Sequence, residues 1–350
     1  MKTPIRVLIA DDSATMRTAL TELLALEQRV SVVGQARDGM EAVEMSRTLR
    51  PDVITMDVNM PRLDGLGAIA TIMAQSPARI LVVCSVSEEK QLDLSFRAMA
   101  AGALELLPKP SSGAAELRKW GNRVAEAVIL MAEVPVVRRI SYRTPPPTVP
   151  PPPARRRAGR QRIDAIGIVA STGGPPALAV LLKGLPRGLP VPVLIAQHIA
   201  EGFTAGLLRW FSSVSQLPVK VAEEGARALP GYVYLPPDGC DLELDARGVL
   251  RAPKPAGLHT PSGNRLLQSL ARSLGTCAAG VVLTGMGDDG ALGLLAIRRA
   301  GGTTIAQDEA SSVVYGMPQA AQALGAAQSV VPLDSIASLI AELCTETATP

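Results

Sequence analysis

A run of proline residues divides this chain into two parts. Seven of the ten residues at 144–153 are proline, and arginines flank the run on both sides. Proline clusters favour an extended, semi-rigid chain that does not contribute to a packed core. We therefore expect two folded domains, at 4–131 and 163–345, joined by a Pro/Arg-rich linker at 132–162.

The arginines around the proline run permit two interpretations. They form either a patch for nucleic acid or another acidic partner, or a solvated linker. We favour the linker because Tyr142 is the only aromatic residue among them, whereas proteins that bind single-stranded nucleic acid stack bases on aromatic rings. The whole chain is also close to neutral, with 35 Lys and Arg against 32 Asp and Glu, so its overall charge does not indicate a nucleic-acid partner.

Cysteine content and hydropathy bear on the cellular location. The 4 cysteines are far apart and only 2 histidines are present, so we expect neither a disulfide framework nor a structural zinc site. The apolar stretch near the N-terminus is too short for a signal peptide. Glycine, proline or polar residues interrupt the uncharged runs at 165–182 and 310–333, which excludes a membrane span. We expect a soluble, cytoplasmic protein without direct membrane insertion.

The first half alternates short apolar runs with segments of helical spacing. The runs that indicate buried strands are 5–10, 30–36, 52–57, 79–85 and 103–107. Such alternation predicts a doubly wound α/β domain, with a five-stranded parallel sheet and helices on both of its faces. In sheets of this kind, functional groups gather at the carboxyl ends of the strands.

Acidic side chains lie at or directly after the carboxyl ends of two of these strands. Asp11 and Asp12 come after the first strand, and Asp57 ends the third; Ser85 ends the fourth, and Lys109 follows the fifth. Carboxylates that converge on one edge repel one another and favour a bound cation, and hard oxygen ligands favour Mg²⁺. With a lysine nearby, this set suits phosphoryl transfer to a carboxylate. Capping of the following helices explains any one of the acids, but not the whole set.

Residues 5–130 resemble a two-component receiver domain. The motifs that carry the resemblance are DDS at 11–13, MDVNMPRLDG at 56–65 and the Lys-Pro pair at 109–110. The resemblance implies a histidine kinase as the phosphodonor and Asp57 as the phosphoacceptor. It also implies Mg²⁺ bound by Asp12, Asp57 and the backbone carbonyl of Asn59, with Asp11 holding the water shell of the metal.

Two positions of this receiver pattern depart from the common one. The hydroxyl position is Ser85, or Cys84 if the strand is shifted by one residue. Leu106 takes the place of the aromatic residue often found three residues before the lysine. We therefore do not expect a switch that depends on the rotamer of an aromatic side chain.

In the second half, polar residues follow each of three predicted strands. Ser171 follows the strand at 164–170, and His198 follows the strand at 191–197. Asp288 and Asp289 follow the strand at 276–284. A serine, a histidine and an aspartate at the carboxyl ends of one sheet are typical of a hydrolase with a nucleophile, a base and an orienting carboxylate. We expect a mainly parallel α/β sheet that carries a serine-hydrolase triad.

Several alternatives remain at this edge. The small-residue turn at Ser171 either cradles a phosphate or presents the serine as a nucleophile beside an oxyanion-binding amide. His198 is the favoured base because it shares the sheet edge with Ser171, whereas His259 lies in a loop rich in proline and glycine. Either Asp288 or Asp289 is suitably placed to orient the imidazole.

Residues 163–344 resemble the catalytic domain of the chemotaxis protein-glutamate methylesterases. The carrying motifs are ASTGG at 170–174, AQH with GFT close behind at 196–204, HTPS at 259–262, LTGMGDDG at 283–290 and AQDEASSVVYGMP at 306–318. A receiver followed by this domain is specific to that family.

The resemblance implies Ser171 as the nucleophile, His198 as the base and Asp289 as the aspartate, with the N–H groups of Thr172 and Met286 at the oxyanion. The implied activity is phosphorylation-activated demethylation of glutamate methyl esters, and deamidation of glutamines, on the cytoplasmic helical region of chemoreceptors for chemotaxis adaptation. For the ester reaction we expect no cofactor. The alternative is a response regulator with a scaffolding or DNA-binding output domain, although no helix-turn-helix is recognisable.

Two residues of the second half depart from the family pattern. Val169 stands where glycine usually precedes Ala-Ser, and we expect it to shift the serine turn slightly. Asn264 stands where the Pro-Ser motif usually leads to aspartate. The sequence assigns no role to the loop that carries Asn264.

Overall fold

A computed structural model describes residues 3–85, 89–110, 114–133, 162–255, 257 and 259–345. The Pro/Arg-rich linker predicted at 132–162 lies outside these residues, apart from 132, 133 and 162. None of the helices in the described ranges is both long and apolar enough to cross a membrane.

The first half forms a five-stranded parallel sheet. Its strands are β1 (Ile5–Ala10), β2 (Val30–Ala36), β3 (Val53–Met56), β4 (Arg79–Cys84) and β5 (Glu105–Pro108). Its helices are α1 (Ala14–Ala25), α2 (Gly39–Leu49), α3 (Gly65–Gln75), α4 (Glu89–Ala101) and α5 (Ala114–Glu133). The strand order is β2-β1-β3-β4-β5, which leaves β5 at an edge. The predicted sheet is confirmed, with small differences in strand ends.

Both faces of this sheet are covered because consecutive strand residues point to opposite sides. On β1, Val7 packs in the same apolar cluster as residues of α1 and α5, whereas Leu8 packs in the cluster that contains residues of α3 and α4. Helix α5 is anchored to the edge strand by Trp120, a fully buried side chain whose indole N–H donates to the carbonyl of Pro108 at 2.7 Å.

The second half forms a seven-stranded parallel sheet and a small hairpin. Its strands are β6 (Ala165–Ala170), β7 (Val193–Gln197), β8 (Val219–Val221), β9 (Val233–Leu235), β10 (Glu243–Leu244), β11 (Leu250–Arg251), β12 (Ala278–Val282), β13 (Thr303–Gln307) and β14 (Ser329–Val331). Its helices are α6 (Gly174–Gly184), α7 (Thr204–Val214), α8 (Gly263–Leu274), α9 (Ala291–Arg299), α10 (Met317–Ala323) and α11 (Leu333–Thr345). The hairpin pairs β10 with β11.

The order of the large sheet is β14-β13-β12-β6-β7-β9-β8, and all of its pairings are parallel. The three strands predicted to precede the serine, the histidine and the aspartate are therefore adjacent, in the order β12-β6-β7. Hydrogen bonds continue past the strand ends, from the amide of Ser171 to the carbonyl of Thr284 at 3.0 Å and from the amide of His198 to the carbonyl of Ala170 at 2.9 Å. This continuation fixes the positions of Ser171 and His198 at one edge.

Helix α4 of the first half packs against helix α7 of the second. The ring of Phe96 lies 6.2 Å from the ring of Phe203 and 5.9 Å from that of Trp210, measured between centroids. Gly206 permits the close approach of the two helices, since a Cβ at this position would lie 2.5 Å from Cε2 of Phe96. The two halves thus share one apolar cluster.

Candidate active site

At the centre of the site, the imidazole of His198 is hydrogen-bonded to the carboxylate of Asp289. Nε2 of His198 lies 2.8 Å from Oδ2 of Asp289, and only 14% of the histidine side chain and 3% of the aspartate side chain are exposed. Since Nε2 faces the carboxylate, Nδ1 is the nitrogen that remains to accept a proton. Asp288 is exposed, so Asp289 is the one of the two aspartates that contacts His198.

Asp289 also lies at the N-terminus of helix α8. Its Oδ2 accepts a hydrogen bond from the amide of Gly263 at 2.6 Å, and its Oδ1 accepts one from the amide of Asn264 at 2.9 Å. Burial raises the pKa of this carboxyl group, but the bonds from His198 and from the two amides outweigh burial and lower the pKa to about 2. Asp289 is therefore ionised at neutral pH and able to stabilise a protonated imidazole.

The loop that carries Asn264 has a structural role that sequence reasoning missed. The side chain of Ser262 accepts from the amide of Arg265 at 3.3 Å and caps α8, whose free amides hold Asp289. The side-chain oxygen of Asn264 accepts from the amide of Gly293 at 2.8 Å and so ties α8 to α9. A serine directly before a helical segment is the sequence signal that could have indicated this N-terminus.

Val169 fits against two glycines of the same region. A Cβ at Gly263 would lie 2.2 Å from Cγ1 of Val169, and one at Gly290 would lie 3.2 Å from the same atom. Gly290 also has a φ of +92°, which side chains rarely adopt. Glycines on the neighbouring segments thus accommodate the side chain of Val169.

Ser171 begins a tight turn between β6 and α6. The side-chain amide of Gln197 donates to the carbonyl of Ser171 at 2.9 Å, and Gly173 has a φ of +73°. Gly285 approaches closely, since a Cβ there would lie 2.7 Å from Cβ of Ser171. The Ser171 hydroxyl makes no hydrogen bond to any residue of the described ranges.

Two backbone amides beside this turn are free to bind an anion. Within the part of the chain that the structure describes, the N–H groups of Thr172 and Met286 donate no hydrogen bond. Both residues line, with Ser171 and His198, a cavity of about 540 Å³. Preorganised amides near a nucleophile are suited to stabilise the oxyanion of an acyl-transfer intermediate.

His259 also reaches this cavity, although its sequence position suggested only a loop residue. Its ring stacks on that of His198, with centroids 4.9 Å apart and an interplanar angle of 3°. His259 is exposed to solvent. It therefore covers one face of the imidazole, while Asp289 contacts the ring edge.

The other wall of the cavity comes from the first half of the chain. Glu105 at the start of β5 accepts a hydrogen bond at Oε2 from the Thr172 hydroxyl at 2.8 Å. Arg123 and Glu126 of α5 line the same cavity. Sequence reasoning missed Glu105 because its role depends on how two separately folded sheets dock, for which a single sequence carries no local signal.

The predicted phosphorylation site lies at the carboxyl ends of β1 and β3. Nζ of Lys109 lies 2.7 Å from Oδ2 of Asp57 and 2.8 Å from Oδ2 of Asp11. Carboxylate oxygens of Asp11, Asp12 and Asp57 all lie within 4.8 Å of one another. Burial raises the pKa of Asp57, although the Lys109 ammonium opposes this shift.

These residues fit a hard divalent cation. The donor set consists of three carboxylate groups whose oxygens converge, and one of these oxygens, Oδ2 of Asp11, also lies 2.8 Å from Nζ of Lys109. Clustered carboxylate oxygens are the ligands that Mg²⁺ prefers. Asn59 is exposed, and its amide lies 3.4 Å from Oδ1 of Asp57.

The hydroxyl position of the pocket is better matched by Ser85 than by Cys84. Strand β4 ends at Cys84, which is fully buried. Burial raises the pKa of the Cys84 thiol to about 11. Ser85 follows the strand end and is only partly buried.

Comparison with known proteins agrees with both halves of the fold. The family model described as CheB methylesterase matches residues 166–340, and the response regulator receiver domain model matches residues 7–120. The chain is 57% identical over 343 residues to protein-glutamate methylesterase/protein-glutamine glutaminase 3 of Myxococcus xanthus (strain DK1622), covering 98% of this chain and 94% of that protein. It is 44% identical over 343 residues to protein-glutamate methylesterase/protein-glutamine glutaminase 2 of Anaeromyxobacter dehalogenans (strain 2CP-C), covering 97% of each chain.

A solved structure matches the second half. The CheB methylesterase catalytic domain of Thermotoga maritima aligns with a TM-score of 0.50 and 34% identity, covering 52% of this chain and 98% of that one. The resemblances found in the sequence are thereby confirmed. The chain belongs to the protein-glutamate methylesterase/protein-glutamine glutaminase family, and it joins a response regulator receiver domain to a CheB methylesterase domain.

Proposed function

We propose that this protein hydrolyses glutamate methyl esters, and deamidates glutamines, on the cytoplasmic helical region of chemoreceptors. The observation that carries the proposal is the 2.8 Å contact between His198 and Asp289, in the cavity that Ser171 also lines. The names of the relatives assign these activities, on protein glutamate and glutamine, to those proteins. We place the reaction in the cytoplasm, in chemotaxis adaptation.

Acylation begins when the Ser171 oxygen attacks the ester carbonyl and passes its proton to Nδ1 of His198. For this transfer, the two atoms must approach to about 2.6–3.2 Å. The oxyanion accepts hydrogen bonds from the amides of Thr172 and Met286. The carbon–oxygen bond to the methoxy group then breaks, and methanol leaves with the proton from His198.

Deacylation repeats these steps with water. His198 takes a proton from the water that attacks the acyl-enzyme, and returns it to the Ser171 oxygen when the acyl bond breaks. Ester and water give a glutamate carboxylate, methanol and a proton. With a glutamine side chain the leaving group is ammonia. Ionised Asp289 stabilises the imidazolium in both halves of the reaction.

We further propose that a histidine kinase supplies the phosphoryl group to Asp57. Mg²⁺, held by Asp12, Asp57 and the backbone carbonyl of Asn59, would neutralise charge on that group when bound. Asp11 would hold the water shell of the metal. Lys109, already paired with Asp57, would then contact the added phosphoryl oxygens.

The regulatory part of the proposal assigns 4–131 to the receiver, 132–162 to a linker and 163–345 to the catalytic domain. The receiver obstructs the serine edge through β5 and α5, whose residues line the cavity. Phosphorylation adds roughly −1.5 to −2 charge. This charge acts on Lys109, four residues after Glu105 at the cavity wall, and biases the interface towards opening.

The nucleophile is tested by Ser171→Ala, with Ser335→Ala as the matched control on the exposed start of α11. We expect the Ser171 variant to lose roughly 10⁴- to 10⁶-fold in rate, as other hydrolase triads do. The measurement is methanol release from a methylated receptor fragment. Hydrolysis near the wild-type rate in Ser171→Ala would contradict the assignment. A scaffolding or DNA-binding output has no comparable support in the described residues.

A further inference from the structure

One hydrogen bond joins the receiver to the turn that carries the nucleophile. Oε2 of Glu105 accepts from the hydroxyl of Thr172 at 2.8 Å, and Thr172 directly follows Ser171. The backbone supports the contact, since the amide of Gly173 lies 3.3 Å from the carbonyl oxygen of Leu104. Glu105 is partly buried and lines the same cavity as His198.

The receiver places the side chain of Glu105 beside Ser171. A glutamate side chain is also the product of the proposed ester hydrolysis. An ester, an amide and a carboxylate all offer an oxygen that accepts a hydrogen bond, so one hydroxyl donor can bind substrate and product alike. The backbone amide of Thr172 is not used by Glu105 and stays available for the oxyanion.

We propose that the Thr172 hydroxyl is the substrate-binding group for the glutamyl carbonyl oxygen, and that Glu105 occupies this subsite as an internal product analogue. The proposal rests on the proposed function and deepens it by naming the residue that recognises the substrate side chain. It also states how the receiver obstructs the site. Glu105 occupies the position of the substrate glutamyl group, so phosphorylation must move Glu105 out before the substrate can bind.

The electrostatics of Glu105 agree with a subsite for a neutral acyl group. Burial raises the pKa of the Glu105 carboxyl group, although the hydrogen bonds from Thr172 and Leu106, and the nearby His198, oppose the shift. A site that disfavours carboxylate charge holds an ester or an amide better than the product. The product, and Glu105 as its analogue, is then readily displaced.

The test removes the two partners of this bond one at a time from the full chain. Glu105→Ala is expected to raise methanol release from a methylated receptor fragment by roughly fivefold without phosphodonor, and to leave the phosphorylated rate within about twofold. Thr172→Val keeps the backbone amide but removes the hydroxyl, and is expected to lower the phosphorylated kcat/KM about tenfold. Thr172→Ser, which restores the hydroxyl, should recover most of the loss.

A bond that served only to dock the receiver would give a different pattern. Both variants would then raise the unphosphorylated rate, and neither would change the phosphorylated kcat/KM; this result would overturn the proposal. Thr303→Val is the control for the substitution itself, because it removes a buried hydroxyl that has no hydrogen-bond partner in the described residues. It should leave both rates unchanged.

Binding of a demethylated receptor fragment separates this proposal from the proposed function. Glu105→Ala should bind the fragment more tightly than the wild type, and Thr172→Val in the Glu105→Ala background should weaken that binding about tenfold. Equal binding by the single and double variants would refute the subsite, even if the wild type releases methanol. Absence of methanol from the wild type would refute the esterase, even if the binding pattern appears.

Discussion

At the scale of single residues, the site depends on an aspartate that stays ionised although it is buried. Asp289 receives hydrogen bonds from His198 and from two amides at the start of α8. These donors interact more strongly with the charged form and therefore favour it over the protonated form. The contact between Asp289 and Nε2 of His198 favours the tautomer with Nδ1 unprotonated, as the proposed base for Ser171 requires.

The depressed pKa of Asp289 predicts a pH-dependent contribution to stability. The pKa falls from 3.8 to about 2 on folding, so the carboxylate stabilises the folded state by about 2 kcal/mol above pH ~4. This contribution is lost as pH falls from about 4 to about 2. Asp289→Asn lacks the titrating group, so its free energy of unfolding should fall below that of the wild type at pH 6, and the gap should shrink to roughly half by pH 3 and nearly close around pH 2. Denaturant titrations at several pH values measure the gap; a gap that stays constant down to pH 3 would contradict the assigned pKa.

At the scale of helices and strands, Gly206 on α7 controls how closely the receiver approaches. A Cβ there would lie 2.5 Å from Cε2 of Phe96 and 2.6 Å from Cδ2 of Leu92, both on α4. Both contacted side chains are buried, with 1% and 4% exposed, so little room exists for them to yield.

We therefore predict that Gly206→Ala loosens the receiver and raises methanol release without phosphodonor severalfold. Alanine is a better helix former than glycine by about 1 kcal/mol, so α7 itself should not be weakened. Gly188→Ala is the matched control, because a Cβ at that position meets nothing within 4 Å. Equal rates for Gly206→Ala, Gly188→Ala and the wild type would show that this interface does not restrain the enzyme.

The sequence patterns predicted the main strands of this site, but they did not predict how the strands and helices pack together. The strands that precede Ser171, His198 and Asp289 were predictable because they are apolar runs with polar ends. The three-residue strands β8, β9 and β14 were not, since so short a segment carries little periodicity. The role of α8 as the support of Asp289 depends on tertiary packing and was not predicted, although Ser262, the N-cap of the helix, could have indicated where α8 begins.

At the scale of the whole molecule, the proposed control of the esterase depends on how the receiver docks on the catalytic domain. Residues from both domains form this interface, so the pattern of one segment does not predict it. The proposed phosphoacceptor pocket and the proposed triad were each predicted from motifs, but the contact of Glu105 with Thr172 was not. One short strand connects the phosphoacceptor pocket to the cavity beside Ser171. Strand β5 begins at Glu105, and Lys109, the residue after its end, forms an ion pair with Asp57.

The most direct test of this account is methanol release by the full chain before and after addition of a small phosphodonor with Mg²⁺. The wild type should be stimulated, and Asp57→Asn should keep the unstimulated rate in both conditions because it offers no carboxylate to phosphorylate. Equal rates with and without phosphodonor in the wild type, or stimulation that persists in Asp57→Asn, would contradict control of the esterase through this residue.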